Sequence, residues 1–393
     1  MRWSLAIVLC MATTLSGAAA NGFPGVAIAH SLARTRIYLG SPAIAVLSDG
    51  TYVAAHDTFG PGSKEDTEYI FASYDKGRDW KLISAVHGQY WSSLFTLRGE
   101  LYLFGTSRAM GSPVIRRSVD GGRSWSAPVD GATGAFEPAG RYITAPVPVL
   151  VDHGRIWKTF EVNEAGDLKE QLFSAPVGSD LLDTSSWTRS VPLASSKEWL
   201  NGHFNSWEES SVVAVPGQSP KIVARVNTPT GPEVVAIVTV EQNGKQLEFD
   251  PSKDFVPMPG GGKKFSVRYD VKTKRYWTLA NAVLDGPTAR DLERVRNTLA
   301  LISSPDLRNW SIQRVILHNP DEKTHGFQYA DWVFDGDDLI AVVRVAFDDD
   351  EGGANDQHNA NFITYVRVPS FRCGPPIAPC RVSTTLSRTA VRK

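Results

Sequence analysis

Apolar and polar residues alternate along this chain in short runs, broken by turn signals at close intervals. Tyr52-Val53-Ala54-Ala55, Tyr69-Ile70-Phe71-Ala72, Val114-Ile115-Arg116-Arg117, Ile222-Val223-Ala224 and Ala341-Val342-Val343 are typical. Each is short, β-branched or aromatic in character, and reads as strand. Six turn signals each sit between two such runs: Ser48-Asp49-Gly50, Arg98-Gly99-Glu100, Asp152-His153-Gly154, Pro216-Gly217-Gln218, Lys272-Thr273-Lys274 and Phe334-Asp335-Gly336-Asp337. They mark six hairpins. A second set lies between them, at residues 69–80, 114–125, 171–191, 234–249 and 304–310, with a final strand at 362–368. Two hairpins make one four-stranded blade. The pattern therefore predicts an all-β, six-bladed β-propeller, with seven blades as the alternative count if two segments are merged. A strand near Val26 to Ala29 is available to close the ring and so remove its open edges. Thr288 to Arg296 is the one stretch that reads as a short helix.

Two octapeptides repeat: Ser73-Tyr74-Asp75-Lys76-Gly77-Arg78-Asp79-Trp80 and Ser118-Val119-Asp120-Gly121-Gly122-Arg123-Ser124-Trp125. Ser304-Pro305-Asp306-Leu307-Arg308-Asn309-Trp310 is a shortened copy without the glycine. Ser and Asp side chains bond turn backbone, Gly supplies a positive φ, and Trp packs the hairpin onto its sheet. These segments are structural turns and carry no chemistry of their own.

The start of the chain changes the picture of where this fold works. Arg2, an apolar run from Leu5 to Leu15, and Ser16-Gly17-Ala18-Ala19-Ala20 have the layout of a secretory signal peptide. The expected organisation is a signal peptide over residues 1–20 and a single propeller domain over 21–393, secreted or periplasmic. Of three cysteines, Cys10 leaves with the signal, and Cys373 and Cys380 are expected to form one short disulfide. A metal site is the competing reading, but no further cysteine or nearby histidine completes a ligand set. The net charge of −1, or −2 without Arg2, offers no electrostatic footprint for nucleic acid or anionic lipid. The protein is expected as a monomer without cofactor or metal. Asp348-Asp349-Asp350-Glu351 reads as a solvated acidic loop, with a calcium ion held through its oxygens as the alternative.

In a propeller, the b–c loops and blade connections gather on one face around the channel, and candidate chemistry belongs there. Ends of b strands supply His56, Asp57, Arg108, Arg225 and Arg344; starts of a strands supply Trp91, Trp207, Glu208, Lys264 and Tyr329. His56, Asp57, Glu208 and Tyr329 are the candidate catalytic residues. His56 is the best-placed group titrating near neutral pH, with a bond to nearby backbone as its bland alternative. Arg108, Arg225, Arg344 and Lys264 are cations for a carboxylated sugar, while Trp91 and Trp207 could stack on sugar rings. Ion pairing inside the propeller competes with substrate binding for the arginines, and Glu208-Glu209 could be a solvated pair.

The octapeptides resemble the Asp-box (BNR) repeats of the sialidase superfamily. The resemblance, over residues 35 to 368, implies an exo-acting glycosidase removing a terminal sugar from an acidic oligosaccharide or polysaccharide. It implies an arginine triad on the substrate carboxylate, a Tyr nucleophile activated by Glu, and an Asp acid. The family's Arg-Ile-Pro motif corresponds to Arg36-Ile37-Tyr38-Leu39-Gly40-Ser41-Pro42, where proline is absent from its usual place. A looser likeness is to propeller enzymes that cleave rhamnose from glucuronate, by hydrolysis or as a lyase, with His in the acid/base role that His56 would fill. A third reading is a non-catalytic glycan-binding propeller. Convergence of His56, Glu208, Tyr329 and the arginines separates an active site from a binding platform.

Overall fold

The computed structural model describes residues 22–137, 140–284 and 291–373. The expected signal segment and Cys380 lie outside them; Cys373 itself is disulfide-bonded. Residues 288–290 of the stretch read as a helix also lie outside, and its described part holds a 3₁₀ turn, Leu292–Arg294.

Among the described residues the strands form six antiparallel sheets, the blades of a propeller. Strands are lettered a to d in order. Blade 1 comprises Ala43–Val46, Tyr52–Phe59, Thr67–Ser73 and Lys81–His87, with Tyr38–Leu39 pairing the far end of strand b. Blade 2 comprises Tyr90–Leu97, Glu100–Thr106 and Pro113–Ser118. Blade 3 runs Leu150–Asp152, Arg155–Glu164, Asp167–Pro176 and Thr188–Arg189, with Tyr142–Ile143 also on its strand b. Blade 4 runs Ser206–Val215, Gln218–Asn227, Val234–Glu241 and Gln246–Glu248, with Phe255–Pro257 also on its strand c. Blade 5 runs Arg268–Asp270, Arg275–Ala280, Thr298–Ser304 and Ser311–His318. Blade 6 has Gly326–Asp335, Asp338–Ala346 and Phe362–Val368, and its fourth strand is the early segment Val26–His30. Val26 pairs with Tyr365 and His30 with Phe362, so the start of the propeller closes its end.

Six blades were expected, and six are observed. Blade 2 departs from the four-stranded expectation. After its octapeptide the chain reads Ala127-Pro128-Val129-Asp130-Gly131, and Pro128 has no N–H to give a ladder. One backbone bond from Ser126 to Arg117 and a bridge between Val114 and Ala135 take the place of strand d.

The core lies between neighbouring blades. Ala43, Val53, Ile70, Leu94 and Leu103 join blade 1 to blade 2. Trp157, Leu172, Trp207, Val212 and Ile222 join blade 3 to blade 4. Ile28, Ile44, Tyr52, Val342 and Ile363 join blade 6 to blade 1. Both faces of each central strand are therefore apolar, which explains the near-continuous apolar runs in strands b and c.

The repeated octapeptides make the same turn. The Ser73 and Ser118 hydroxyls accept from the Gly77 and Gly122 amides at 2.8 Å in each case. Asp120 Oδ1 accepts from the Arg123 and Ser124 amides at 3.1 and 2.9 Å, and the Ser124 hydroxyl donates to Oδ2. These donors hold the Asp120 carboxyl down at about 2. In the shortened copy Leu307 takes the left-handed conformation, φ 66°, and Asp306 still accepts from the Arg308 and Asn309 amides. Asp120→Ala removes a cap-like bond set from an exposed turn. It should lower stability by about 1 kcal/mol and Tm by about 2–4 °C in a thermal melt. An unchanged melt would mean the turn holds without its carboxylate.

Candidate active site

The site begins with three bulges. Near the start of strand a in blades 2, 4 and 6, register shifts occur between Tyr90 and Ser93, Glu208 and Ser211, and Gln328 and Asp331. At each bulge a large residue is left-handed: Trp91 at φ 50°, Glu209 at 48° and Tyr329 at 56°. Such φ values are costly for side chains of this size. A bulge of this kind re-aims a side chain that simple alternation would point elsewhere. Lys264 supports one of them: buried, its Nζ donates to the Ala330 carbonyl at 3.0 Å and the Tyr329 carbonyl at 3.5 Å.

Glu209 and Tyr329 are thereby brought together from blades 4 and 6. The Tyr329 hydroxyl donates to Glu209 Oε1 at 2.8 Å. Burial, then the Glu209 charge, pushes the Tyr329 phenol up to about 12, so it stays protonated and donates. Arg225, on strand b of blade 4, ion-pairs with Glu209 and also with Glu208 at 3.0 Å. Its Nε donates to the Gly262 carbonyl at 3.0 Å. Glu208 and Glu209 thus share one guanidinium, but Tyr329 bonds only the second.

Two more arginines flank the Tyr329 ring. The Arg344 guanidinium lies 4.9 Å from its centroid and 4.4 Å from that of Phe59; that of Arg296 lies 5.8 Å from Tyr329. Arg296 Nη1 donates to Gln328 Oε1, and Arg344 Nη2 to the His358 carbonyl, both at 2.5 Å. Arg344 Nε is buried with no partner. Among the described residues, ion pairs form at Arg225 but neither Arg296 nor Arg344 has a carboxylate within 4.0 Å. Burial lowers both guanidinium values, that of Arg344 to about 10. Two buried, unneutralised guanidiniums beside a phenol form a site for an anion.

Asp57 completes the cluster from strand b of blade 1. Its Oδ1 accepts from the Ser41 amide at 2.9 Å and its Oδ2 from the bulged Trp91 amide at 3.1 Å. Burial outweighs these bonds and pushes its carboxyl up to about 7; the Arg344 charge acts the other way. Behind Asp57, directly cross-strand, is Glu68. Blade 3 repeats the arrangement with Glu161 cross-strand from Glu170, where the Ser210 amide and hydroxyl bond one oxygen of each.

No family model matches the chain, and no curated protein sequence does. Solved structures do. Hadza microbial sialidase Hz136 is similar with a TM-score of 0.60 at 12% identity, over 84% of this chain and 66% of that one. An α-L-arabinofuranosidase of Fusarium graminearum, in complex with arabinobiose, gives 0.57 at 14% identity over 88% and 98%. NanB sialidase from Streptococcus pneumoniae gives 0.54 at 10% identity over 88% and 70%. This chain shares their β-propeller fold. At such identities the likeness is one of fold, and the chemistry of this propeller rests on its own residues.

Those residues answer the sequence reading unevenly. Tyr329, Asp57, Arg225 and Arg344 converge, and Trp91 is tied to Asp57 through its amide. His56 does not join them. It points to the other face of its strand, stacked on Tyr69 and Phe71 with Nδ1 2.8 Å from the Asp57 carbonyl, and burial lowers it to about 4. Adjacent strand residues face opposite ways, so only one of His56 and Asp57 could face the channel. Trp207 is no sugar platform, because it is fully buried against Trp199, Phe204 and Phe249 in the blade 3–4 core. Arg108 is solvent-exposed in the turn after strand b of blade 2. Lys264 is buried under the bulge and holds backbone. Arg36 is likewise exposed, and lies after a 3₁₀ turn.

The sequence reading assigned no site role to Arg296 or Glu68, and of the pair Glu208-Glu209, one of which could face the channel, it chose Glu208. Glu209 was visible only as half of an acidic pair. Arg296 sits in Arg294-Val295-Arg296-Asn297, ahead of an apolar strand, and carries no motif. Glu68 had a usable signal: a lone carboxylate inside the buried strand Thr67–Ser73.

Proposed function

We propose that this protein is a retaining exo-glycosidase that removes a carboxylated terminal sugar from an acidic glycan. The observation that carries the reading is the pair of unneutralised guanidiniums, Arg296 and Arg344, beside the Tyr329–Glu209 hydrogen bond. Glycoside hydrolases among the fold neighbours support the reaction class. The signal-like N-terminal segment supports action outside the cytoplasm.

In the first half-reaction the Tyr329 oxygen attacks the anomeric carbon as Glu209 takes the phenolic proton. The glycosidic bond breaks, and Asp57 gives its proton to the leaving oxygen. In the second, Asp57 takes a proton from water, water displaces Tyr329 from the anomeric carbon, and Glu209 returns the proton to the phenolate. A neutral phenol suits a carboxylated sugar, because a carboxylate nucleophile would be repelled by the substrate's own charge. Arg296 and Arg344 hold the substrate carboxylate, while Arg225 ion-pairs with Glu209 and holds it in place.

Asp57 must be protonated to act first as an acid. Its value of about 7 predicts a basic limb, kcat/KM falling as pH rises through that value. Asp57→Asn should cost about 10²- to 10⁴-fold on alkyl glycosides, and far less where the leaving group needs no proton. A pH profile and a leaving-group series measure both.

The reading is tested by incubating purified protein with four substrates and identifying products by mass spectrometry. These are a terminal α-sialoside, a β-glucuronide, a rhamnosyl-glucuronate polysaccharide and an α-L-arabinofuranoside. Release of a carboxylated sugar is expected. Turnover of the neutral furanoside alone would sink the acidic-substrate reading. Release of rhamnose would favour the glucuronate-linked substrate, with His56 set apart from the reacting groups in either case.

A further inference from the structure

Glu68 stands on strand c of blade 1, directly opposite Asp57 on strand b. Cross-strand neighbours in an antiparallel pair share a face, with Cβ atoms about 4.5–5.5 Å apart. Glu68 is fully buried, and neither of its carboxyl oxygens has a hydrogen-bond partner. Ser92 eases its charge slightly without meeting hydrogen-bond geometry; burial and the Asp57 charge dominate and push the carboxyl well up. A buried carboxylate with both oxygens unpaired is untenable as a plain anion. The groups facing the pair relieve it only in part. Arg344 acts on Asp57 from blade 6, Glu65 adds a second negative charge from the b–c loop, and Tyr90 of blade 2 stays protonated. His56 lies on the opposite face of the strand.

We propose that Asp57 and Glu68 share a single proton, with Glu68 as the positioning residue that keeps Asp57 a proton donor through neutral pH. The assignment rests on the reading of Asp57 as the acid of this site. At rest the pair carries one proton and one negative charge. When the leaving oxygen takes the proton, the pair becomes a buried dianion, and that unfavourable state drives recapture of a proton from the attacking water. The same group thus serves as acid and then as base, with proton and charge balanced over the cycle.

The experiment compares wild type, Glu68→Gln, Asp57→Asn and the double variant by thermal melts across pH, with pH–rate profiles alongside. A carboxyl whose proton affinity is raised on folding lowers stability as pH climbs above its unfolded value. Glu68→Gln, isosteric and uncharged, removes that loss. Its Tm should match wild type near about pH 4 and exceed it by a widening margin toward about pH 8. In the Asp57→Asn background the margin should shrink, since the charge Glu68 must share is gone. Glu68→Gln should also move the basic limb of kcat/KM down by about one pH unit or more, and Glu68→Asp should restore it in part. A margin independent of pH, a margin undiminished by Asp57→Asn, or an unmoved limb would each overturn the sharing. If no glycan is turned over by any of the four proteins while the melts behave as expected, the glycosidase reading fails and the shared proton stands.

Discussion

Tyr329→Phe is expected to reduce turnover of a carboxylated glycoside by at least about 10³-fold, with KM little changed and the fold intact. The substitution deletes one oxygen, the atom that donates to Glu209 at 2.8 Å. The ring remains beside Arg296 and Arg344, so the anion site keeps its walls. Glu209 keeps its ion pair with Arg225, so no uncompensated carboxylate is left and stability should move by about 1 kcal/mol or less. Single-turnover mass spectrometry gives the second readout. Wild-type protein quenched during turnover should carry a glycosyl adduct on the peptide containing Tyr329, and the Phe variant should carry none. An adduct on a carboxylate peptide, or near-normal turnover by Tyr329→Phe, would assign the nucleophile elsewhere.

Arg344→Met should separate affinity from stability. Arg344 is buried, one of its donors is unpaired, and no carboxylate neutralises it within 4.0 Å. In the free protein that arrangement costs stability, which the bound carboxylate would offset. Removing the charge while filling its volume should weaken binding of a carboxylated product by about 30- to 3000-fold. The same change should raise Tm, by about 2–4 °C for each kcal/mol of relieved desolvation. Calorimetry with the free acid sugar and with its methyl ester separates the contributions: the ester should bind both proteins almost equally. Equal loss for acid and ester would show that Arg344 shapes the pocket without reading charge. The corresponding change at Arg225 should behave in the opposite way, because Arg225 already neutralises Glu208 and Glu209 and its loss strands both.

The site was legible where residue type and strand position coincided. Tyr329, Arg225, Arg344 and Asp57 lie at strand ends that a blade count sends to one face. The misassignments share a cause. His56 and Asp57 are adjacent, and deciding which of them faces the channel requires the register of one strand, which a one-residue change reverses. Glu208 and Glu209 pose the same question, answered by a bulge that turns Glu209 to Tyr329 at a φ no sequence pattern announces. Trp207 looked like a platform because tryptophan serves both cores and sugars; the packing of blade 3 on blade 4 settles it.

The sequence by itself determined the all-β class, a propeller of six blades with seven left open, the octapeptide turns and the strand that closes the ring. Those features are local: turn chemistry, alternation and spacing act over a few residues, and hairpins follow from them. Only the tertiary structure decided that Tyr329 meets Glu209, 120 residues earlier in the chain, that Arg296 and Arg344 flank them unneutralised, and that Glu68 backs Asp57. Ring closure sets such distant residues side by side, while bulges and burial fix where they point and how they hold their protons.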